Sequence, residues 1–238
     1  MLFMVMHKLN DEIRAGGPPR KELVDNMGKL VGEAIAAGKF LDGDGLREPA
    51  SRVRLKAGTV IRGPYSGENE LISGFVKLKV STIDEAVAWA KRFAETVGAT
   101  EVEVGPVTEA WDIGVAPKPE GPVPLRVLVL QKADAASEAG KPLSPERKQR
   151  LGALIDEMKS AGVFLTADRL APSSKGTRLQ RAGGKNRWTD GPFAESKELV
   201  SGYSLLQVES KQEAIAWTER YAEILGDIEV DIREVARD

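Results

Sequence analysis

Two stretches of this chain, IRGPYSGENELISGF (61–75) and TDGPFAESKELVSGY (189–203), follow one pattern, and that repetition limits the fold more than any other feature. From Gly63–Phe75 to Gly191–Tyr203, six of thirteen residues are identical at an offset of 128. Farther on, EAVAWAKRFAE (85–95) meets EAIAWTERYAE (213–223) with seven identities in eleven. Upstream the offset becomes 124: AGKFL (37–41) faces AGVFL (161–165), and His7-Lys8 faces Gln131-Lys132. The length change falls between Leu55/Leu179 and Arg62/Asp190, where KAGTVI in copy one stands against QRAGGKNRWT in copy two. Glycine between extended residues predicts a hairpin there, and an extension at its tip costs little. We therefore expect two homologous domains, 1–113 and 125–238, joined by the Pro/Gly-rich segment GVAPKPEGPVP (114–124).

Each copy opens on an apolar run, Leu2–Met6 or Leu125–Leu130, that reads as a buried strand. Helices are expected over Lys21–Ala37 and Pro145–Ala161, the second capped by Ser144 with Pro145 in its first turn, and stopped at Gly38 and Gly162. The hairpin and the Gly-Pro turn come next. Val76, Leu78 and Val80 then mark one face of a strand, matched by Ser204, Leu206 and Val208, with Lys77 and Lys79 pointing outward. A second helix carries Trp89 and Phe93, or Trp217 and Tyr221, at core spacing, and a last strand follows. The order predicts an α+β fold of two ferredoxin-like, split βαβ domains, each with both helices on one face of an antiparallel sheet. A sheet covered on one face needs a second sheet, and the other copy can supply it. An intramolecular pseudo-dimer around a shared cleft is the expected architecture.

Composition excludes several kinds of protein. The 34 basic and 36 acidic residues leave a net charge of −2, with no basic module for nucleic acid. No apolar run approaches the roughly 20 residues that span a bilayer, and LFMVM is too short for a signal-peptide core, so no membrane role and a cytoplasmic location are expected. With no cysteine and one histidine, no metal site and no cofactor are expected. No phosphate-binding loop, nucleophile elbow or dinucleotide fingerprint occurs.

The segment TDGPFAESKELVSGY resembles the YCII-related superfamily, in the branch named for its Asp-Gly-Pro-Phe motif, and the resemblance runs over both copies. It implies a ferredoxin-like fold, a dimeric α/β-barrel assembly and a bacterial source. Most members have no assigned activity; the superfamily includes a dehydrochlorinase-type enzyme, and its archetypes carry a His-Asp pair proposed as catalytic. Here the sole histidine is His7, facing Gln131 in the other copy, and the motif's Asp190 faces Arg62.

Candidate chemistry follows from those residues. His7 has the only side chain with an unperturbed pKa near neutrality, and a meeting with Asp190 would raise that pKa and orient the ring. Asp44 and Asp168 correspond between copies and are candidates to share a cleft. Arg62, Gln131, Tyr65 and Phe193 are candidate ligand contacts, and Arg47, Arg52, Arg54, Arg62, Arg178 and Arg187 gather near the hairpins as possible anion binders. Each has a plainer explanation as turn, cap or solvated charge. The leading expectation is a small-molecule-binding protein, with any catalysis being cofactor-free acid/base work of the elimination type. The alternatives are a regulatory partner linked to sigma factors, as the resemblance implies, and an assembly module that self-associates through its sheet faces.

Overall fold

The computed structural model describes residues 1–15, 19–193 and 196–236. The first copy forms β1 (Leu2–Lys8), α1 (Asp11–Ala15), α2 (Lys21–Ala36), β2 (Phe40–Gly45), β3 (Val53–Lys56), β4 (Thr59–Arg62), β5 (Ile72–Val80), α3 (Ile83–Val97) and β6 (Glu101–Pro106). The second forms β7 (Leu125–Lys132), α4 (Ala135–Glu138), α5 (Pro145–Ser160), β8 (Phe164–Arg169), β9 (Thr177–Ala182), β10 (Lys185–Asp190), β11 (Val200–Gln207), α6 (Lys211–Leu225) and β12 (Ile228–Glu234). The expected caps are present. Ser144 accepts the Arg147 backbone N–H, and Gly38 and Gly162 end their helices at φ 67° and 71°.

The strands pair differently from the expectation of one sheet per copy. One sheet runs β10-β9-β12-β1-β11-β2 and the other β4-β3-β6-β7-β5-β8. The first two strands of each copy lie in the sheet built by the last four strands of the other copy. The two orders become the same when each strand is replaced by its counterpart in the repeat. One sheet and its helices thus come from a continuous run, β3 through β8, while the chain's two ends build the other. The Pro/Gly segment 114–124 joins β6 to β7, which are antiparallel neighbours in one sheet. It is the loop of a long hairpin, and its lack of regular structure follows from its prolines.

The hairpins explain the change of offset. Both turn on two left-handed residues, Ala57-Gly58 (φ 47° and 80°) and Gly183-Gly184 (φ 55° and 76°). The loop keeps its length; β9 and β10 are each two residues longer than β3 and β4. Lengthening a strand by two preserves the face of every side chain, whereas one residue would invert them.

The layers are helix, sheet, sheet, helix. Helices α3 and α5 cover one sheet through Val76, Leu78, Phe93, Leu154 and Met158, and α6 with α2 covers the other through Phe3, Val5, Leu206 and Ala222. Between the sheets lie Met4, Met6, Phe75, Leu128, Leu130 and Tyr203. Each sheet face is therefore covered within the chain. No helix among the described residues is long and apolar enough to cross a membrane.

Toward one end the inter-sheet layer changes from apolar to ionic. Lys132 pairs with Glu70 and Glu103, Arg52 with Glu103 (3.1 Å), and Arg54 with Glu70 (2.7 Å), all buried. The other sheet repeats the theme with Lys8–Asp231 (3.1 Å) and Arg178–Asp231 (2.6 Å). Arg54 stacks on the Tyr65 ring at 4.3 Å, and Arg178 on Phe193 at 4.4 Å. Both Gly-Pro bonds are cis, and a Cβ on Gly63 or Gly191 would lie 1.8 Å from the carbonyl oxygen of Pro49 or Ser173. The repeated motif thus serves packing in both copies: glycine for backbone approach, the aromatic as a platform for a buried arginine.

Candidate functional site

His7 sits near the end of β1. Strand alternation sends Phe3, Val5 and His7 toward the helices, and Met4, Met6 and Lys8 toward the other sheet. The imidazole is buried, and its Nδ1 lies 2.6 Å from the Tyr221 hydroxyl on α6. Burial, and then the nearby positive charges of Arg52 and Lys8, push the His7 pKa down to about 3. Burial pushes the Tyr221 hydroxyl well above its usual value, so the tyrosine keeps its proton. His7 is neutral as well, and with the tyrosine hydroxyl as donor to Nδ1 the imidazole carries its own proton on Nε2. Gly202 stands directly opposite on β11, where a Cβ would come 2.3 Å from the His7 Cε1. The glycine of the repeated SGY/SGF motif makes room for the ring.

This ring lies on the wall of a cavity of ≈ 770 Å³ between the sheet and α2, which also reaches Tyr221, Tyr203, Ser204, Asp44 and Arg52. Gly43 and Gly45 open the sheet side of it. Arg52 reaches in from the turn just before β3. Its Nε donates to the Arg47 carbonyl (2.8 Å) and its Nη1 to Glu103 (3.1 Å) and the Val200 carbonyl (2.7 Å). Its Nη2, equally buried, has no partner among the described residues. Asp44 is neutralised by Lys77 (2.6 Å) and Arg126 (3.0 Å), and Tyr203 donates to Asp42 (2.5 Å). Lys77, expected on an outward face, points between the sheets and is 4% exposed, because Asp42 and Asp44 on β2 supply its counter-charges.

The other sequence candidates fall elsewhere. Asp190 ends the edge strand β10, 79% exposed, and binds Lys211 at 2.9 Å. Three strand spacings, roughly 14 Å, separate β10 from β1, so the His7–Asp190 pair does not form. Arg62 is exposed and binds Asp84 at 2.6 Å. Tyr65 and Phe193 support the buried arginines and line neither of the cavities described here. Asp44 and Asp168 do not share a cleft: Asp168, with Gln131, lines a second cavity under α3 and α5. Tyr221 escaped notice because its spacing reads as helix core. The signal that could have found it is paired: His7 with Tyr221 in one copy, Gln131 with Phe93 in the other.

Residues 125–235 match the family model described as YCII-related domain, which supports the YCII-related reading for the second copy. The matched run spans β7 to β12, so its strands are shared between both sheets. No curated protein matches the chain.

Proposed function

We propose that this protein binds a small organic anion, a carboxylate or a group like it, in the cavity walled by His7 and Arg52. The observation that carries the reading is Arg52, a buried guanidinium that lines a cavity large enough for a small molecule and whose Nη2 has no hydrogen-bond partner among the described residues. The neutral imidazole beside it offers a second donor in Nε2–H, and the Tyr221 hydrogen bond fixes its orientation. An ion arriving here meets a guanidinium and an imidazole that their own hydrogen bonds already hold in place, so little is given up on ordering them.

A base whose conjugate acid has a pKa of about 3 takes up a proton poorly at neutral pH. Binding therefore accounts for the free site better than elimination with His7 as the base. In this reading the repeat is a tandem YCII-like duplication whose copies form an intramolecular dimer with exchanged strands. Support comes from the matching strand orders and from the repeated Lys–acid–Arg–aromatic stack.

Benzoate and its neutral isostere benzamide test the proposal by calorimetry. Benzoate should bind, and benzamide should bind at least about tenfold more weakly, the typical value of one charge-assisted hydrogen bond. Arg52→Lys keeps a charge for Glu103 but loses the forked donor, and should cost a similar factor with the fold intact by circular dichroism. Equal binding of the two probes, or unchanged affinity in Arg52→Lys, would remove the anion reading.

A further inference from the structure

The second cavity, ≈ 480 Å³, is the repeat counterpart of the first, and its walls have diverged in one direction. Gln131 stands where the first cavity has His7, Phe93 where it has Tyr221, Phe75 where it has Tyr203, and Leu151 and Ile155 of α5 complete an apolar wall. One acid is retained, Asp168 in the place of Asp44. The three partners of Asp44 are not retained. Lys77, Arg126 and Tyr203 become Leu205, Leu2 and Phe75, and Phe75 lies directly across from Asp168 in register. Among the described residues Asp168 has no hydrogen bond or ion pair, and burial alone pushes its carboxyl up.

Lys141, Arg147 and Arg169 line the same cavity, yet none of them pairs with Asp168 among the described residues. Arg147 donates to the Val97 carbonyl (3.3 Å), Arg169 donates to the Lys141 carbonyl (3.2 Å), and Asp134 accepts the Ser137 N–H as a cap (2.7 Å). Lys141 is exposed. A partly buried carboxylate stripped of its cations beside an apolar hollow has one kind of missing partner, a cation attached to hydrocarbon.

We propose that the second cavity binds an apolar molecule bearing a protonated amine, with the ammonium on Asp168 and the hydrocarbon against Phe93, Leu151 and Ile155. The two cavities then select opposite charges. In the first, Lys77 and Arg126 already occupy the acid and Arg52 repels an ammonium. In the second, the position of Arg52 is taken by Gly176. The proposal does not depend on the anion reading of the first cavity.

Titration of the full ¹⁵N-labelled chain with n-hexylamine, hexan-1-ol and hexanoate near pH 7 tests it. Hexylamine should saturably shift amide signals of β8 and α5 while the His7 region stays silent. Hexan-1-ol should bind about tenfold more weakly, and hexanoate should not shift these signals. Asp168→Asn should weaken hexylamine by the same factor. Ile155→Trp, which fills the cavity and leaves the carboxylate in place, should abolish the shifts. A hexylamine response that does not saturate, that hexan-1-ol equals, or that survives both substitutions overturns the proposal and leaves Asp168 as a solvated acid. Benzoate binding in the first cavity is unaffected by either result.

Discussion

Replacing Glu103 by glutamine should lower the melting temperature by roughly 10 °C, the cost of about 3–5 kcal/mol expected when one member of a buried ionic group is removed. Glu103 is wholly buried between the sheets, where it faces Arg52, Arg54 and Lys132. Burial alone would raise its carboxyl, but those three cations outweigh it and hold the pKa below the usual range. Without its charge, Lys132 and Arg54 keep Glu70, Arg54 keeps Glu101, and Arg52 loses its carboxylate partner and is held by backbone carbonyls alone. The attraction that Glu103 supplies acts where water cannot screen it. An exposed pair gives the contrast: Arg92–Glu157 on α3 and α5 is well aligned yet solvated, and Glu157→Gln should leave the melting temperature nearly unchanged. Thermal unfolding of both variants checks the comparison. A loss of under about 2 °C for Glu103→Gln would mean that the ionic layer does not hold the sheets together.

The second large effect is on acid stability. A histidine held neutral in the folded chain, with a pKa of about 3 against 6.5, binds its proton more readily once unfolded. The stability this represents is fully present above pH 6.5 and is lost as pH falls toward 3, because in that window only the unfolded state takes up the proton. Between pH 7 and pH 4 the loss amounts to roughly 3 kcal/mol. His7→Gln places at β1 the residue that β7 already carries as Gln131, and it should flatten that part of the profile. Carboxylates held low by their partners, such as Glu103 and Asp231, add a steeper loss at lower pH that both proteins share. Urea titrations from pH 7 to pH 4 measure the difference; parallel profiles for the two proteins would contradict it.

What the sequence made legible divides along physical lines. Helix ends, the hairpins and the inward faces were readable because caps, glycines and alternation act over a few residues. Strand partners were not, since β1 and β7 are short apolar runs with the same periodicity, and either fits beside β6 or β12. Alternation says which way a side chain points and says nothing about its neighbour. The same limit hid that the strands on either side of 114–124, β6 and β7, pair with each other.

At the site, His7 stood out by residue type alone. Asp190 drew attention through its motif, yet it ends an edge strand and meets Lys211 in solvent. Arg52 was one of six arginines near the hairpins, and what distinguishes it from the equally buried Arg54 and Arg178 is its place on the wall of the His7 cavity. Lys77 looked like a surface lysine because its counter-charges, Asp42 and Asp44, lie on the exchanged strand β2.

The central claim is that an uncharged imidazole and a free guanidinium nitrogen wait together for an anion. Because His7 is the sole histidine, one set of ¹⁵N ring signals reports on it without assignment ambiguity. A pH titration by NMR, with and without saturating benzoate, should show a proton on Nε2 only, from pH 7.5 down to about 4.5, in the free chain. Bound benzoate should move the midpoint upward, as a neighbouring negative charge requires. A free-chain midpoint near 6.5, or one indifferent to benzoate, would contradict the account.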